Sequence, residues 1–226
     1  DLAFSIPSGG RLLVEVTTPA PQSKDTWHEE QRGPVTVVSG DGRSKDAALL
    51  RLTSAFATKA EIIANAVQKG HAMAEDYKVI AISGLRISQE ARIPLHASGN
   101  PPEYARAFLP LGELVSRTSL NQETGELEMG PLHHRFSDQI RKPSGSIVPR
   151  TAFVSGEFAH VDAVAYSEVG LDDLDRAELQ VSVLHNPTSS NPRHPTLLRM
   201  AREFVGEIDG DQLHLQPHRL PEIAAR

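Results

Sequence analysis

Hydrophobic and polar positions follow a helical period in one long segment of the chain. Between residues 44 and 69, apolar side chains recur at spacings of three and four and form one stripe: Leu49, Leu52, Phe56, Ala60, Ile63 and Val67. Ser44 stands where an N-cap is expected, Asp46 falls in the first turn, and Gly70 is placed to end the helix. The pattern therefore predicts an amphipathic helix over residues 44–69.

Shorter runs of β-branched residues predict strands on both sides of this helix. Residues 2–6 and 11–17 flank the turn sequence Pro7-Ser8-Gly9-Gly10, which indicates a β-hairpin. Residues 77–83 (YKVIAIS) have the apolar character of a strand that is buried inside a sheet. Strand, helix and strand in this order favour a βαβ crossover with the helix packed on the sheet.

A Pro-rich stretch separates this region from the rest of the chain. We interpret residues 91–150 as an insertion or lid outside the core, with a short helix at 101–109 and a hairpin at 116–129. Residues 151–226 are expected to complete the domain that residues 1–90 begin, with strands at 152–154, 161–167 and 178–185 and a helix at 196–205. The predicted fold class is α/β, with a mixed central β-sheet and a long helix packed on it.

The amino-acid composition excludes several kinds of catalytic and metal site. The 226-residue chain is 39% hydrophobic and has no cysteine, which excludes disulfides, thiolate nucleophiles and zinc–thiolate sites. The absence of cysteine fits a reducing compartment, so we expect a cytoplasmic protein. Apolar runs are too short to span a bilayer, so no membrane partner is expected. The net charge of −6 argues mildly against a protein that coats nucleic acid.

The common catalytic and nucleotide-binding motifs are missing from the sequence. It contains no GxxxxGK[ST], GxGxxG, GxSxG or HExxH pattern. Without cysteine ligands, a metal bound by oxygen atoms is the natural route to catalysis.

Glu15 is the most informative residue. Side chains alternate faces along a strand, so Glu15 shares a face with Leu13 and Thr17. A buried carboxylate is costly unless it is paired, hydrogen-bonded or bound to a cation. Asp1 lies across the predicted hairpin, and two carboxylates at the end of a sheet suit Mg²⁺ or Mn²⁺, which can lower the pKa of a bound water. A glutamate on an edge strand that faces solvent is the alternative interpretation.

These residues resemble the core of the PD-(D/E)XK, or restriction-endonuclease-like, nuclease superfamily. Asp1, a hairpin turn, the sequence Glu15-Val16-Thr17, a helix carrying Lys59 and the buried strand at 77–83 follow the order of that core over residues 1–90. The resemblance implies hydrolysis of phosphodiester bonds with a bound metal. It also implies that Asp1 and Glu15 ligate the metal, while a lysine supports the attacking water.

Thr17 departs from this family pattern. The superfamily places a lysine two residues after the second acid, where this chain has Thr17, and a threonine supplies no cation. Some members of the superfamily carry the lysine on the neighbouring helix, and Lys59 is the corresponding candidate here. It lies at the flank of the stripe formed by Phe56 and Ile63, from where it would reach over the sheet toward Glu15. A lysine whose stem merely covers apolar surface is the alternative.

The C-terminal half is similar to a divergent bacterial branch with the same nuclease-like core and a closing His-Asn-Pro loop, here His185-Asn186-Pro187. His185 would bind a metal or a phosphate, or would stabilise the turn that Pro187 starts. The basic segment that includes Arg135, Arg141, Lys142 and Arg150 would follow a phosphate backbone, or it would be an ordinary solvated loop.

The sequence thus predicts a Mg²⁺-dependent nuclease acting on DNA, with Asp1, Glu15, Lys59 and Thr17 at its site. A catalytically inactive nuclease-like module that binds a protein or nucleic acid is the rival. Thr17 and the acidic net charge favour the rival. The oligomeric state, and what a segment before Asp1 contributes, are left open.

Overall fold

The fold is described from a computed structural model of the chain. The residues that the structure describes are 2–5, 10–20, 28–32, 35–39, 45–91, 95, 101–121, 124–142, 144–170, 181–191, 202–209 and 212–218.

Thirteen strands and two α-helices are formed by the described residues. The strands are β1 (Leu2–Ser5), β2 (Arg11–Thr17), β3 (His28–Arg32), β4 (Val35–Ser39), β5 (Tyr77–Ser83), β6 (Leu111–Leu120), β7 (Leu127–Phe136), β8 (Gln139–Arg141), β9 (Ile147–Pro149), β10 (Ala163–Ser167), β11 (Val181–His185), β12 (Arg202–Asp209) and β13 (Gln212–His218). The helices are α1 (Lys45–Gln68) and α2 (Leu85–Ala91), and a 3₁₀ helix covers Glu103–Ala107.

A seven-stranded mixed sheet forms the centre of the molecule. Its strand order is β1-β2-β5-β10-β11-β12-β13. The neighbours β2 and β5, β5 and β10, and β11 and β12 run parallel, and the other neighbours run antiparallel. The remaining strands form two-stranded ribbons, β3-β4, β6-β7 and β8-β9. The predicted mixed sheet is confirmed, as is the hairpin of β1 and β2, in which Leu2 lies opposite Val14.

Helix α1 connects the parallel strands β2 and β5, as the crossover prediction requires. Its stripe from Leu49 to Ile63 is buried in the core, because this face packs on the sheet. Gly70 has φ +72°, and the N–H of His71 donates to the carbonyl of Ala66 at 2.9 Å beyond the last turn. The predicted helix is therefore confirmed, while its proposed N-cap, Ser44, lies outside the described residues.

Alternation along the strands gives the sheet two different faces. Ile80 and Ile82 lie with α1 in the main core, whereas Tyr77 and Val79 belong to a second apolar cluster on the other face. Glu15 is the register partner of Ile80, which places Glu15 on the α1 face.

Part of the Pro-rich region lies in the core. Tyr104, Ala105, Ala107, Phe108 and Leu109 are all completely buried. The rings of Phe108 and Phe56 are 5.1 Å apart, so this segment packs directly on α1. The expectation that residues 91–150 lie outside the core was therefore wrong for this stretch. Prolines mark where short elements stop, and they do not show whether a segment is buried. The short helix and the hairpin predicted within this region are present.

Two elements predicted in the C-terminal part were wrong. The stretch 152–154 forms turns, not a strand. The helix predicted at 196–205 is not formed over its last four residues, which belong to strand β12, and the preceding residues lie outside the described part. Phe204 pairs with Leu184 in the parallel ladder with β11, so sheet pairing overrides a short apolar pattern that suits either structure.

Within the described part of the chain, no helix has the length and apolar character needed to cross a membrane.

Candidate functional site

Glu15 and Lys59 form an ion pair where α1 crosses the sheet. Glu15 lies in the middle of β2, and Lys59 projects from α1 one turn before Ile63. Lys59 Nζ donates to Glu15 Oε2 at 2.9 Å. The side chains of Lys59 and Glu15 are 21% and 12% exposed, so the pair is largely desolvated but still accessible from one side. The predicted approach of Lys59 to Glu15 is confirmed.

Asp1, the second predicted metal ligand, lies outside the described residues. The described part of the hairpin begins at Leu2, one residue later. No three His, Asp or Glu side chains within the described ranges come together as a metal site. Mg²⁺ commonly uses one or two carboxylates together with water and substrate phosphates, so the chemistry of Glu15 fits one such ligand.

Thr17 lies two residues beyond Glu15 and opposite Ile82, on the same face of β2. Its hydroxyl can donate or accept a hydrogen bond but carries no positive charge. The cation beside Glu15 is thus supplied by α1, from a position 44 residues away in sequence.

A groove of about 190 Å³ opens beside Glu15. Apart from Glu15 and His71, its walls are apolar: Leu2, Ala3, Leu13, Val14, Ile63, Ala66 and Ala72. Glu15 is therefore one of two polar side chains in the wall of an otherwise apolar groove. Charges act more strongly on each other and on a bound group when apolar walls lower the local dielectric.

The basic segment predicted to follow a phosphate backbone is divided by the fold. Arg150 is buried, with its side chain only 3% exposed, and it donates to Asp46 at 2.9 Å and to the carbonyl of Leu111 at 3.3 Å. Burial, followed by the nearby Arg106, lowers the pKa of Arg150. Arg135, Arg141 and Lys142 are exposed. Arg150 is therefore a structural residue, and only the exposed basic residues remain available to a partner.

A second polar cluster, on the opposite face of the sheet, was only partly foreseen. The hydroxyl of Tyr77 lies 2.7 Å from His185 Nδ1, and His185 Nε2 lies 2.8 Å from Glu203 Oε2. All three side chains are buried. His185 stood out in the sequence because of the His-Asn-Pro pattern, whereas its partners did not. If residues 202–205 had been recognised as a strand inside the sheet, Glu203 and Phe204 would have been placed on its two opposite faces. Glu203 would then have been recognised as a buried acid.

Asp162 completes this cluster next to His185. It accepts the backbone N–H of Lys78 at 2.6 Å and the hydroxyl of Ser189, and its carboxylate lies 3.9 Å from Lys78 Nζ. The backbone N–H of Asn186 donates to the carbonyl of Asp162 at 2.9 Å. The loop after β11 is thus fastened to the N-terminal ends of β5 and β10.

Comparisons with protein-family models, with curated proteins and with solved structures give no match in any of the three.

Proposed function

We propose that this chain is a metal-dependent nuclease-like protein with a restriction-endonuclease-like core, which hydrolyses phosphodiester bonds in DNA. The observation that carries the proposal is the contact of 2.9 Å between Lys59 Nζ and Glu15 Oε2. The supporting architecture is a hairpin, a long helix and a strand parallel to the second hairpin strand, in the order of the PD-(D/E)XK core.

Each residue has a distinct role in this proposal. Glu15 would bind Mg²⁺ together with Asp1, and the bound ion would polarise the phosphodiester and acidify a water molecule. Lys59, whose Nζ contacts Glu15 Oε2, would hold that water by a hydrogen bond and would offset negative charge that develops on the phosphate. Thr17 would contribute at most a hydrogen bond, so Lys59 replaces the lysine that the family carries on the strand.

A catalytically inactive module that binds a protein or nucleic acid is the second candidate. It is favoured by the apolar walls of the groove next to Glu15. In this case the ion pair would neutralise a half-buried carboxylate and join α1 to β2, without any reaction.

Matched substitutions on and off the site test the nuclease proposal. Glu15→Gln and Lys59→Met should each reduce Mg²⁺-stimulated cleavage of plasmid and linear DNA by roughly 100-fold or more, because each removes a charge that acts on the reacting phosphate. Glu61→Gln and Lys69→Met are the controls, since both residues are exposed and lie on or next to α1. The controls should cleave like the unmodified chain, and far-ultraviolet circular dichroism should show that all four variants are folded.

The outcome separates the two candidates. Cleavage that survives in folded Glu15→Gln would remove Glu15 from the mechanism. An unmodified chain that neither cleaves DNA nor binds millimolar Mg²⁺ or Mn²⁺ in calorimetry would point to the inactive module.

A further inference from the structure

The ribbon formed by β6 and β7 ends in a tip that faces solvent. We use the term ribbon tip for residues 118–129, which are the last three residues of β6, the turn and the first three residues of β7. Exposed positions within the ribbon tip are 118–120, 124–127 and 129. The backbone N–H of Gly125 donates to the carbonyl of Asn121, and that of Asn121 donates to the carbonyl of Glu126, both at 2.8 Å. The turn is thus closed by its own backbone hydrogen bonds, which hold the two strands of the ribbon tip in place.

One face of the ribbon tip is apolar. Leu120 lies opposite Leu127, and Thr118 lies opposite Met129. These four side chains share a face, because directly opposed residues and residues two apart along a strand point to the same side. Leu120, Leu127 and Met129 are 60%, 72% and 79% exposed. An open face of this kind has no walls to enclose a small ligand, whereas adjacent exposed apolar side chains are typical of a surface that binds a protein or a membrane.

The charge of the ribbon tip restricts what can bind there. Residues 118–129 include three glutamates, Glu123, Glu126 and Glu128, and no lysine, arginine or histidine. Glu126 is exposed at the end of the turn, next to Leu127. This negative charge repels nucleic acid and anionic lipid, and it opposes contact between the ribbon tips of two copies of this chain. A positively charged protein surface is attracted instead.

We propose that the apolar face of the ribbon tip is a docking surface for a second protein, whose binding surface is apolar at its centre and carries lysine or arginine at its rim. Leu120 and Leu127 fill the apolar centre, and the flexible side chain of Met129 adapts to its shape. Glu126 pairs with the basic rim, which raises the association rate and fixes the orientation of the partner. The described residues that line the groove beside Glu15 include none from the ribbon tip, so this proposal does not depend on the nuclease function.

Three short peptides of equal length and different chemistry test the proposal on the full chain. One alternates leucine with lysine, one alternates leucine with glutamate, and one alternates serine with lysine. They are titrated against protein with ¹³C-labelled methionine methyl groups, in which Met129 reports on the ribbon tip and the exposed Met73, between α1 and β5, reports on a different surface. The leucine–lysine peptide should shift the Met129 signal saturably in the millimolar range and leave Met73 unchanged. No saturation at Met129, an equal response at Met73, or an equal response to either of the other peptides would overturn the proposal.

Substitutions in the ribbon tip identify the groups that bind. The double variant Leu120→Thr, Leu127→Thr keeps residues that favour strands and removes apolar surface, so it should weaken binding of the leucine–lysine peptide at least tenfold. Ile147→Thr, at an exposed position on β9, is its control and should bind like the unmodified chain. Glu126→Gln should weaken binding severalfold and make it less sensitive to salt, whereas Glu157→Gln, at another exposed position, should not. If the double variant does not fold, Glu126→Gln decides, and unchanged binding in whichever variant is folded would contradict the proposal.

Two further measurements test other occupants of the same face. Sedimentation velocity should show the unmodified chain and the double variant in the same oligomeric state. Flotation with vesicles of phosphatidylcholine, with and without phosphatidylglycerol, should show no binding that depends on Leu120 and Leu127. A dimer or a vesicle-bound fraction that the double variant loses would assign the face to a second copy or to a membrane, and the proposed protein partner would be wrong.

Discussion

The guanidinium of Arg11 holds the carboxylate of Asp76 with two hydrogen bonds, Nε to Oδ1 at 3.1 Å and Nη2 to Oδ2 at 2.7 Å. Asp76 Oδ2 also accepts the backbone N–H of Met73 at 2.7 Å. The contact joins the first residue of β2 to the loop that leads into β5. Strands β2 and β5 are neighbours in the sheet although α1 lies between them in the sequence, and this contact holds their first residues together.

Acid should weaken the fold through Asp76. Burial by itself would raise the pKa of Asp76, but the hydrogen bonds from Arg11 and Met73 hold it below its ordinary value of 3.8. A carboxyl whose pKa is lowered by folding stabilises the folded state above its unfolded pKa, and that contribution is lost as the pH falls through the folded pKa. Asp76→Asn should therefore lower the free energy of unfolding by about 1–3 kcal/mol at pH 7 and by less at pH 3.

Urea unfolding of both chains at pH 7 and pH 3 measures this difference. Glu157→Gln, at an exposed position, is the control and should follow the unmodified chain at both pH values. A difference between Asp76→Asn and the unmodified chain that stays constant over this range would refute the linkage.

Gly84 should not accept a side chain. A Cβ at this position would lie 1.9 Å from the hydroxyl oxygen of Tyr166. Tyr166 cannot easily move away, because its ring is stacked on Tyr104 at 4.5 Å and its hydroxyl donates to Glu168 at 2.8 Å. Gly84→Ala should destabilise the chain by about 1–3 kcal/mol or more in thermal or urea unfolding.

Gly125 provides the comparison for Gly84. It has φ +70°, and a Cβ added there would meet no atom within 4 Å, so only the backbone conformation restricts the residue at this position. Asparagine tolerates this left-handed region, so Gly125→Asn should change stability far less than Gly84→Ala. Equal losses in the two variants would show that the crowding at Tyr166 is relieved by movement.

Phe56 should be among the most costly residues to truncate. Its ring lies 5.1 Å from Phe108, 5.5 Å from Phe153 and 5.1 Å from Phe158. Phe56→Ala should lower the free energy of unfolding by about 3–5 kcal/mol. Phe136→Ala, at a residue that is 68% exposed, should change it by no more than about 0.5 kcal/mol. A small effect at Phe56 would mean that the Pro-rich segment is not packed against α1.

The parts of the fold that could be predicted are those whose pattern is long or unambiguous. Helix α1 has 24 residues and carries a long apolar stripe, and β5 contains four apolar residues in a row, from Val79 to Ile82. The meeting of Glu15 and Lys59 followed from two local rules, alternation along β2 and position around α1. Strand β12 was not predicted because its apolar residues at 204 and 205 fit a helix as well as a strand, and pairing with β11 decides between the two.

The second cluster could not be found from sequence spacing. Tyr77 and His185 are 108 residues apart, and His185 and Glu203 are 18 apart. Only the strand order, which puts β10 between β5 and β11, brings them onto one face. The sequence identifies a chemically suggestive histidine, but its partners are set by long-range strand pairing.

The ion pair of Glu15 and Lys59 should show energetic coupling of a definite sign. Because Glu15 is mostly buried, removing Lys59 alone leaves a carboxylate that is poorly solvated and has lost its closest cation. Lys59→Met should therefore destabilise the unmodified chain more than it destabilises a chain that already carries Glu15→Gln, by about 0.5–3 kcal/mol. Urea unfolding of the four chains of this double-mutant cycle at pH 7 measures the coupling. In about 1 M NaCl the coupling should be only modestly smaller, because salt screens a largely buried pair poorly. A coupling near zero would mean that Lys59 is a solvated lysine whose stem merely covers apolar surface, and it would withdraw the support that this contact gives to the proposed site.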